Sequence, residues 1–308
     1  MKIVFMGTPE IAVKSLEALI SAGHNVAGVF TKVDKPVGRK QILTPPPVKV
    51  CALNHSIPVF QPETLKDGKA YGILKELSAD LIVVVAYGKI LPQNILDLPK
   101  YGCINAHASL LPKFRGSSPI QWCLVCGEKK TGVTTMLLDA GMDTGDMLMT
   151  AETDIEDNEN AEHLYGRLAD IAADLTVKTV KSIEDGTAVR TPQDSTKATY
   201  APIISKDMAL INFNDTADTV NNKIRGFYSW PVAYFMLNGK RIKVFKAQTA
   251  QNTDKAAGTV IKSDKQLVIA CGGGTALELL EVQPEGKKRM AAFQMLQGFK
   301  IEQGSIIK

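Results

Sequence analysis

Histidine, cysteine and tryptophan are all scarce in this chain, with four, five and two copies among 308 residues. The cysteines, at 51, 103, 123, 126 and 271, are odd in number and form no disulfide framework. The first residues read as a buried strand, not a secretion signal, so a reducing, cytoplasmic setting is expected. Cys123 and Cys126 make a Cys-x-x-Cys spacing, but no second pair or nearby histidine accompanies them. Their neighbours Trp122, Leu124 and Val125 are apolar, so both are expected to be core cysteines and not a redox or zinc site. His24, His55 and His163 fall on a helix end, a loop and a helix face, where surface or core roles are expected; no metal is expected. No apolar run approaches the ~20 residues of a membrane helix, which points to a soluble chain, and a monomer is expected. The dinucleotide fingerprint is also missing. Only Gly7 follows the first strand where that fingerprint needs three glycines, so Gly7-Thr8-Pro9-Glu10 reads as a tight turn into a helix, with Thr8 as N-cap and Pro9 at the first helical position.

What is present is the pattern of an α/β protein. Apolar strands at Lys2 to Met6, Val26 to Phe30 and Asp80 to Ala86 alternate with amphipathic helices, and Leu81 to Val85 is apolar on both faces, as in a central parallel strand. These predict an open, mostly parallel sheet of Rossmann-like type over residues 1–189. A long helix capped by Asn158 or Asn160 closes it at Gly186. Residues 190–206 lack periodicity and read as a linker. Residues 207–308 carry four or five short strands, including an Asn238-Gly239 hairpin turn, and predict a small C-terminal β-barrel of OB-like type.

Charge is unevenly spread. Residues 206–308 hold 15 Lys+Arg against 9 Asp+Glu, leaving 21 against 23 for residues 1–205. A basic barrel suits a polyanionic partner, although a solvated basic surface gives the same count. A second basic element is the stretch from Lys32 to Pro47, a connection of about fifteen residues where 2 to 6 is usual. It carries Lys35, Arg39 and Lys40 with Ile42 and Leu43, a composition suited to a phosphate backbone and an apolar wedge. A mobile solvated loop fits equally.

One polar constellation stands out. Asn105 and His107 lie two residues apart at the end of an apolar strand and so share a face, at a strand exit where open α/β sheets bind ligands. Asp143 lies in Asp139-Ala-Gly-Met-Asp-Thr-Gly-Asp146, where the glycines let the backbone turn and aim one carboxylate at a cleft; the calcium-loop pattern is absent. An amide, an imidazole and a carboxylate without a committed Ser or Cys nucleophile fit direct acyl transfer. An amine attacks a carbonyl, Asn105 and a protonated His107 donate to the developing oxyanion at ~3 kcal/mol per well-placed donor, and Asp143 relays the proton. A hydrogen-bonded structural cluster would use the same three residues.

Asn105-Ala-His107-Ala-Ser109-Leu110-Leu111-Pro112, then Phe114-Arg115-Gly116 and Pro119, and Leu138-Asp139-Ala-Gly-Met-Asp143-Thr-Gly-Asp146 resemble the signature of the 10-formyltetrahydrofolate-dependent formyltransferases. The Met6-to-Pro9 start, the Asp34-to-Lys40 loop and the Trp230-Pro231 barrel extend the likeness over the whole chain. The resemblance implies a formyltransferase catalytic domain at 1–189 and a tRNA-binding barrel at 207–308. It implies Asn105, His107 and Asp143 as the catalytic trio and Ser109, Leu110, Leu111 and Pro112 as the folate-binding segment. It further implies 10-formyltetrahydrofolate as donor and initiator methionyl-tRNA as acceptor, met by the Arg39 loop, with Lys287, Lys288 and Arg289 as further tRNA contacts. Water or a small amine is the alternative acceptor, and neither needs the long loop or the basic barrel. Two stretches depart from the family: in Gly226-Phe227-Tyr228-Ser229-Trp230-Pro231-Val232 an Asn is common before Trp-Pro and a Gly after it, and Thr135 stands where an aliphatic residue is usual.

Overall fold

The computed structural model describes residues 1–38 and 40–307. By chain contacts it divides into two compact units. The first comprises Met1–Pro119, Lys130–Asp154 and Tyr165–Ala201; the second comprises Ile120–Lys129, Ile155–Leu164 and the chain from Pro202 onward.

In chain order the elements are β1 (Lys2–Gly7), α1 (Glu10–Ser21), β2 (Asn25–Phe30), β3 (Lys35–Val37), β4 (Ile42–Thr44), α2 (Pro47–Asn54), β5 (Val59–Phe60), α3 (Lys69–Leu77), β6 (Leu81–Val85), α4 (Gln93–Leu96), β7 (Cys103–His107), β8 (Arg115–Gly116), α5 (Pro119–Val125), β9 (Lys130–Leu137), β10 (Met147–Asp154), α6 (Ala161–Glu184) and β11 (Tyr200–Ala201). These are followed by α7 (Ala217–Gly226), β12 (Tyr234–Leu237), β13 (Lys240–Ala250), β14 (Val260–Ser263), β15 (Leu267–Ala270), β16 (Ala276–Pro284), β17 (Met290–Ala291) and α8 (Ala292–Gly298).

The main sheet runs β10-β9-β7-β6-β1-β2-β5. The pairs from β7 to β5 are parallel, whereas β9 is antiparallel to both β7 and β10. This is the expected Rossmann-like sheet. Its buried strands are apolar on both faces, and Val4, Met6, Phe30, Ile82, Val84 and Tyr87 belong to one core cluster. Helix α1 begins one residue later than expected. Pro9 is its N-cap, and the Thr8 hydroxyl donates 3.1 Å to the Tyr87 carbonyl instead of capping. For α6 the choice between two asparagines resolves to Asn160, whose Oδ1 accepts from the backbone N–H groups of Glu162 and His163.

Residues 32–47, read from sequence as a loop, contain the β3–β4 hairpin. Its base is pinned by Asp34, which accepts from Lys49 Nζ at 2.9 Å and Gln61 Nε2 at 2.8 Å. Ile42 and Leu43 are 61% and 65% exposed near its tip. The departure at Thr135 has a local answer: its hydroxyl lies 2.8 Å from that of Thr179 on α6, so the buried oxygen is paired.

In the second unit an antiparallel sheet runs β12-β13-β16-β15-β14, with β17 added to β16. Register shifts in β13 near Val244 and Lys246 bend the ladder into a half-barrel, in keeping with the OB-like form expected. It curls around Phe213, Ile224, Phe235, Val244, Ile269 and Leu279. Asn238 and Gly239 both take positive φ, 49° and 73°, so the β12–β13 turn is of the hairpin type their sequence predicts. Val232, standing where the family commonly has glycine, takes φ 69°, a region that penalises a β-branched residue. Cys123 is buried as expected, but Cys126 is exposed, because it follows the last residue of α5.

Candidate active site

Strand β7 lies between β6 and β9, and strand alternation places Asn105 and His107 on one face. His107 is 6% exposed, and its Nε2 lies 2.9 Å from the Phe114 carbonyl oxygen. A carbonyl only accepts, so Nε2 carries a hydrogen and Nδ1 is the nitrogen left for other work. Nδ1 faces Asp143 Oδ2 at 3.7 Å, beyond hydrogen-bond length but within ion-pair range of a protonated imidazole. The same Oδ2 accepts from the Gly116 backbone N–H at 2.7 Å, which aims the carboxylate. The Asn105 amide is partly exposed and has no hydrogen-bond partner among the described residues, so its donor hydrogens are available to a ligand.

The loop that carries Asp143 leaves β9 at Leu137, which pairs with Ile104 near the start of β7, whereas His107 ends β7, so the loop must fold back to reach it. Three features hold it there. The backbone of Asp143 takes φ 55°. Gly145 cannot be replaced without cost, because a Cβ there would collide with the Leu137 carbonyl oxygen. Asp139 is spent inside the loop, where its Oδ1 accepts from Gly141 N and Thr144 Oγ1 at 3.0 and 2.7 Å.

The third layer of the site was not legible in the sequence. Gln193 Nε2 donates to the Asp143 and Gly145 carbonyls at 2.9 and 2.7 Å. Its Oε1 accepts from Nε and an Nη of Arg115 at 3.0 and 2.8 Å, and Arg115 is only 2% exposed. A few residues on, Thr199 Oγ1 accepts from Phe114 N and the Thr199 carbonyl accepts from Arg115 N, both at 2.9 Å. β11 then pairs with β8. Residues 193–201 therefore hold both the carbonyl that orients His107 and the loop that presents Asp143.

In the segment leaving His107, Ser109 is fully buried and its hydroxyl donates to the Lys113 carbonyl at 2.6 Å. Its own carbonyl accepts from Thr134 Oγ1, which in turn accepts from Leu111 N. Ser109 and Leu111 thus build the loop, while Leu110 and Pro112 keep partly exposed apolar surface that suits a flat aromatic ligand. A recess of about 390 Å³ lined by Leu96, Cys103, Leu137, Leu138 and Arg190 lies at the Cys103 end of β7, away from His107.

Of the residues expected to meet tRNA, Lys35 and Lys40 are exposed on or beside the β3–β4 hairpin, and Arg39 lies outside the described residues. Lys287 and Lys288 are exposed between β16 and β17. Arg289 is engaged within its own unit. It forms a two-pronged pair with Glu281 at 2.6 Å for each contact, and its guanidinium lies 4.1 Å from the Phe245 ring centre. That pairing raises its already high pKa. No described helix is long and apolar enough to cross a membrane.

Residues 1–180 match the family described as formyl transferase, and residues 203–300 match formyl transferase, C-terminal domain. The methionyl-tRNA formyltransferase of Alkaliphilus oremlandii is 46% identical over 308 residues, spanning 100% of this chain and 99% of the relative. That of Caldanaerobacter subterraneus is 45% identical over 310 residues, spanning 100% of both. Among solved structures, a sugar 3N-formyl transferase with dTDP and 5-N-formyl-THF aligns at TM-score 0.69 and 21% identity over 94% of this chain and 99% of that one. An N-formyltransferase from Helicobacter canadensis, in complex with folinic acid and dTDP-3-aminofucose, aligns at TM-score 0.68 and 22% identity, over 91% of this chain and 98% of that one.

Proposed function

The chain belongs to the formyl transferase family, and from that membership we propose that it transfers the formyl group of 10-formyltetrahydrofolate to the free amino group of initiator methionyl-tRNA. The observation that carries this reading is the identity of about 45% with methionyl-tRNA formyltransferases across both the sheet domain and the half-barrel. We assign the reacting groups to residues 1–189, a connecting segment that also braces them to 190–206 and tRNA binding to 207–308, in a cytoplasmic monomer.

The methionyl amine attacks the formyl carbon, a C–N bond forms, and charge gathers on the formyl oxygen. The Asn105 amide donates to that oxygen, and His107 donates through Nδ1 when protonated, since Nε2 is committed to Phe114. Asp143, aimed by Gly116, stabilises the imidazolium and takes up the proton lost by the amine. The bond from the formyl carbon to N10 of the folate breaks, and that nitrogen receives a proton. Leu110 and Pro112 offer apolar surface to the donor. The hairpin, with Lys35 and Lys40 exposed on or beside it, Ile42 and Leu43 exposed near its tip and Arg39 in its sequence, is suited to an acceptor end whose weak terminal pair opens cheaply.

An assay with isotopically labelled formyl donor tests the acceptor. Label is expected on charged initiator tRNA. Label transferred only to an amino sugar nucleotide, or released only as formate, would overturn this reading; the sugar reading draws on solved structures whose low identity supports a common fold alone.

A further inference from the structure

Helix α1 and helix α2 bring three side chains of different chemistry together on the surface of the first unit. One carboxylate oxygen of Glu17, the sulfur of Cys51 and one ring nitrogen of His55 lie within 4.8 Å of one another. Cys51 and His55 are four residues apart, so they share one face of α2 and its C-cap. His55 is fixed at its base, its backbone N–H donating to the carbonyls of Cys51 and Ala52. Cys51 is 6% exposed and its thiol points at Glu17, with sulfur and Oε1 4.0 Å apart. Glu17 and His55 are exposed, which leaves their side chains free to turn and the mouth of the cluster open to solvent.

We propose that Glu17, Cys51 and His55 form a binding site for a divalent cation of the zinc class. A thiolate, an imidazole and a carboxylate are a donor set that zinc accepts and that calcium and magnesium, which take oxygen ligands, do not. Ligand atoms around a tetrahedral zinc stand roughly 3.3–3.6 Å apart, from bond lengths of about 2.0–2.3 Å. From a separation of at most 4.8 Å the three atoms therefore need to close by no more than about 1.2–1.5 Å, within reach of two exposed side chains, and a water supplies the fourth position. Charge also balances: thiolate and carboxylate together cancel the two positive charges, and a neutral histidine completes the set. On binding, the S–H bond breaks, a sulfur–metal bond forms, the proton leaves to solvent and no electron moves. The filled site would tie α1 to α2, whose first turn directly follows the β3–β4 hairpin.

The test is titration of the full-length chain, stripped with chelator and kept reduced, with Co²⁺ alone and then Zn²⁺. Thiolate-to-cobalt charge transfer and tetrahedral ligand-field bands are expected to saturate at one equivalent and to be displaced by Zn²⁺. Glu17→Gln and His55→Gln, both at exposed positions that leave the fold intact, are each expected to weaken Co²⁺ binding at least tenfold. Cys51→Ser is expected to abolish the charge-transfer band, and Cys126→Ser to retain it. No band in the parent chain, a band that survives Cys51→Ser, or unchanged affinity in both exposed-position variants would overturn the proposal.

Discussion

The Nε2 atom of His107 stands 2.9 Å from the carbonyl oxygen of Phe114, and this contact decides which nitrogen of the imidazole can work. The donating nitrogen is occupied within the chain, so in the proposed reaction any proton exchanged by the imidazole would pass through Nδ1, on the side of Asp143. Phe114 itself takes φ 59°, a backbone conformation rare for an aromatic residue, and Thr199 holds it there through its N–H.

Removing the reacting groups separates chemistry from folding. His107→Ala is expected to lower kcat by about 10²–10⁴, the usual worth of a positioned acid or base. Asn105→Ala is expected to cost about 10²–10³, as loss of an oxyanion donor does. Asp143→Ala belongs in the same range. Steady-state formylation with circular dichroism on each variant checks this; near-normal turnover in the His107 and Asp143 variants would remove the pair from the mechanism.

Gln193 acts through others, as a positioning residue. Gln193→Glu keeps an acceptor for Arg115 but loses the two donations to the Asp143 and Gly145 carbonyls, whereas Gln193→Ala loses both halves. If the Asp143 loop is what Gln193 holds, both variants drop in kcat by at least about tenfold, equivalent to ~1.4 kcal/mol, while KM for tRNA stays near that of the parent. A Glu variant with parental kcat would assign the residue to Arg115 instead.

The hairpin and the chemistry are expected to come apart in kinetics. Arg39→Ala with Lys40→Ala removes two cationic contacts and should raise KM for tRNA while leaving KM for the folate donor unchanged. Ile42→Ser with Leu43→Ser should do the same without altering charge. An unchanged KM for tRNA in both would detach the hairpin from acceptor binding.

Acid should loosen the hairpin at its base. Hydrogen bonds from Lys49, then from Gln61, hold the Asp34 carboxyl below its ordinary range. For a depressed carboxylate the stabilisation is fully present above the unfolded pKa and is lost as pH falls through the folded one. Amide exchange over residues 35–44 is therefore expected to be slow and flat from neutral pH down to the ordinary carboxylate range, after correction for intrinsic exchange. It should rise below that range. Asp34→Ala should show the fast rate throughout; parental protection in that variant would refute the anchor.

Local and periodic features were legible because their causes lie within a few residues. Asn105 and His107 share a face by strand alternation, Asn238-Gly239 turns a hairpin because both residues accept positive φ, and the valines from Val83 to Val85 could only be a central strand. Signals decided by distant partners were not. Gln193 sits in a stretch with no periodicity and reaches carbonyls about fifty residues earlier. Arg115 is buried against Gln193, a partner 78 residues away, and the Cys126 position depends on where α5 stops, which an apolar neighbourhood does not reveal. The Thr8 hydroxyl found a carbonyl from another strand exit before it could cap its own helix. The substitution of glycine by Val232 is the reverse case, a mark visible in the sequence whose backbone cost only the structure displays.

The pairing of Arg289 with Glu281 has a consequence for ionic strength. A side chain already neutralised inside the fold displaces no condensed cations when a nucleic acid arrives. If the turn of Lys287, Lys288 and Arg289 meets tRNA as proposed, two of the three would contribute to counterion release, and the slope of log K against log salt would be shallower by about 0.7–0.9 than the sequence count implies. Glu281→Gln, by setting the guanidinium free, would steepen that slope without adding a charge to the turn.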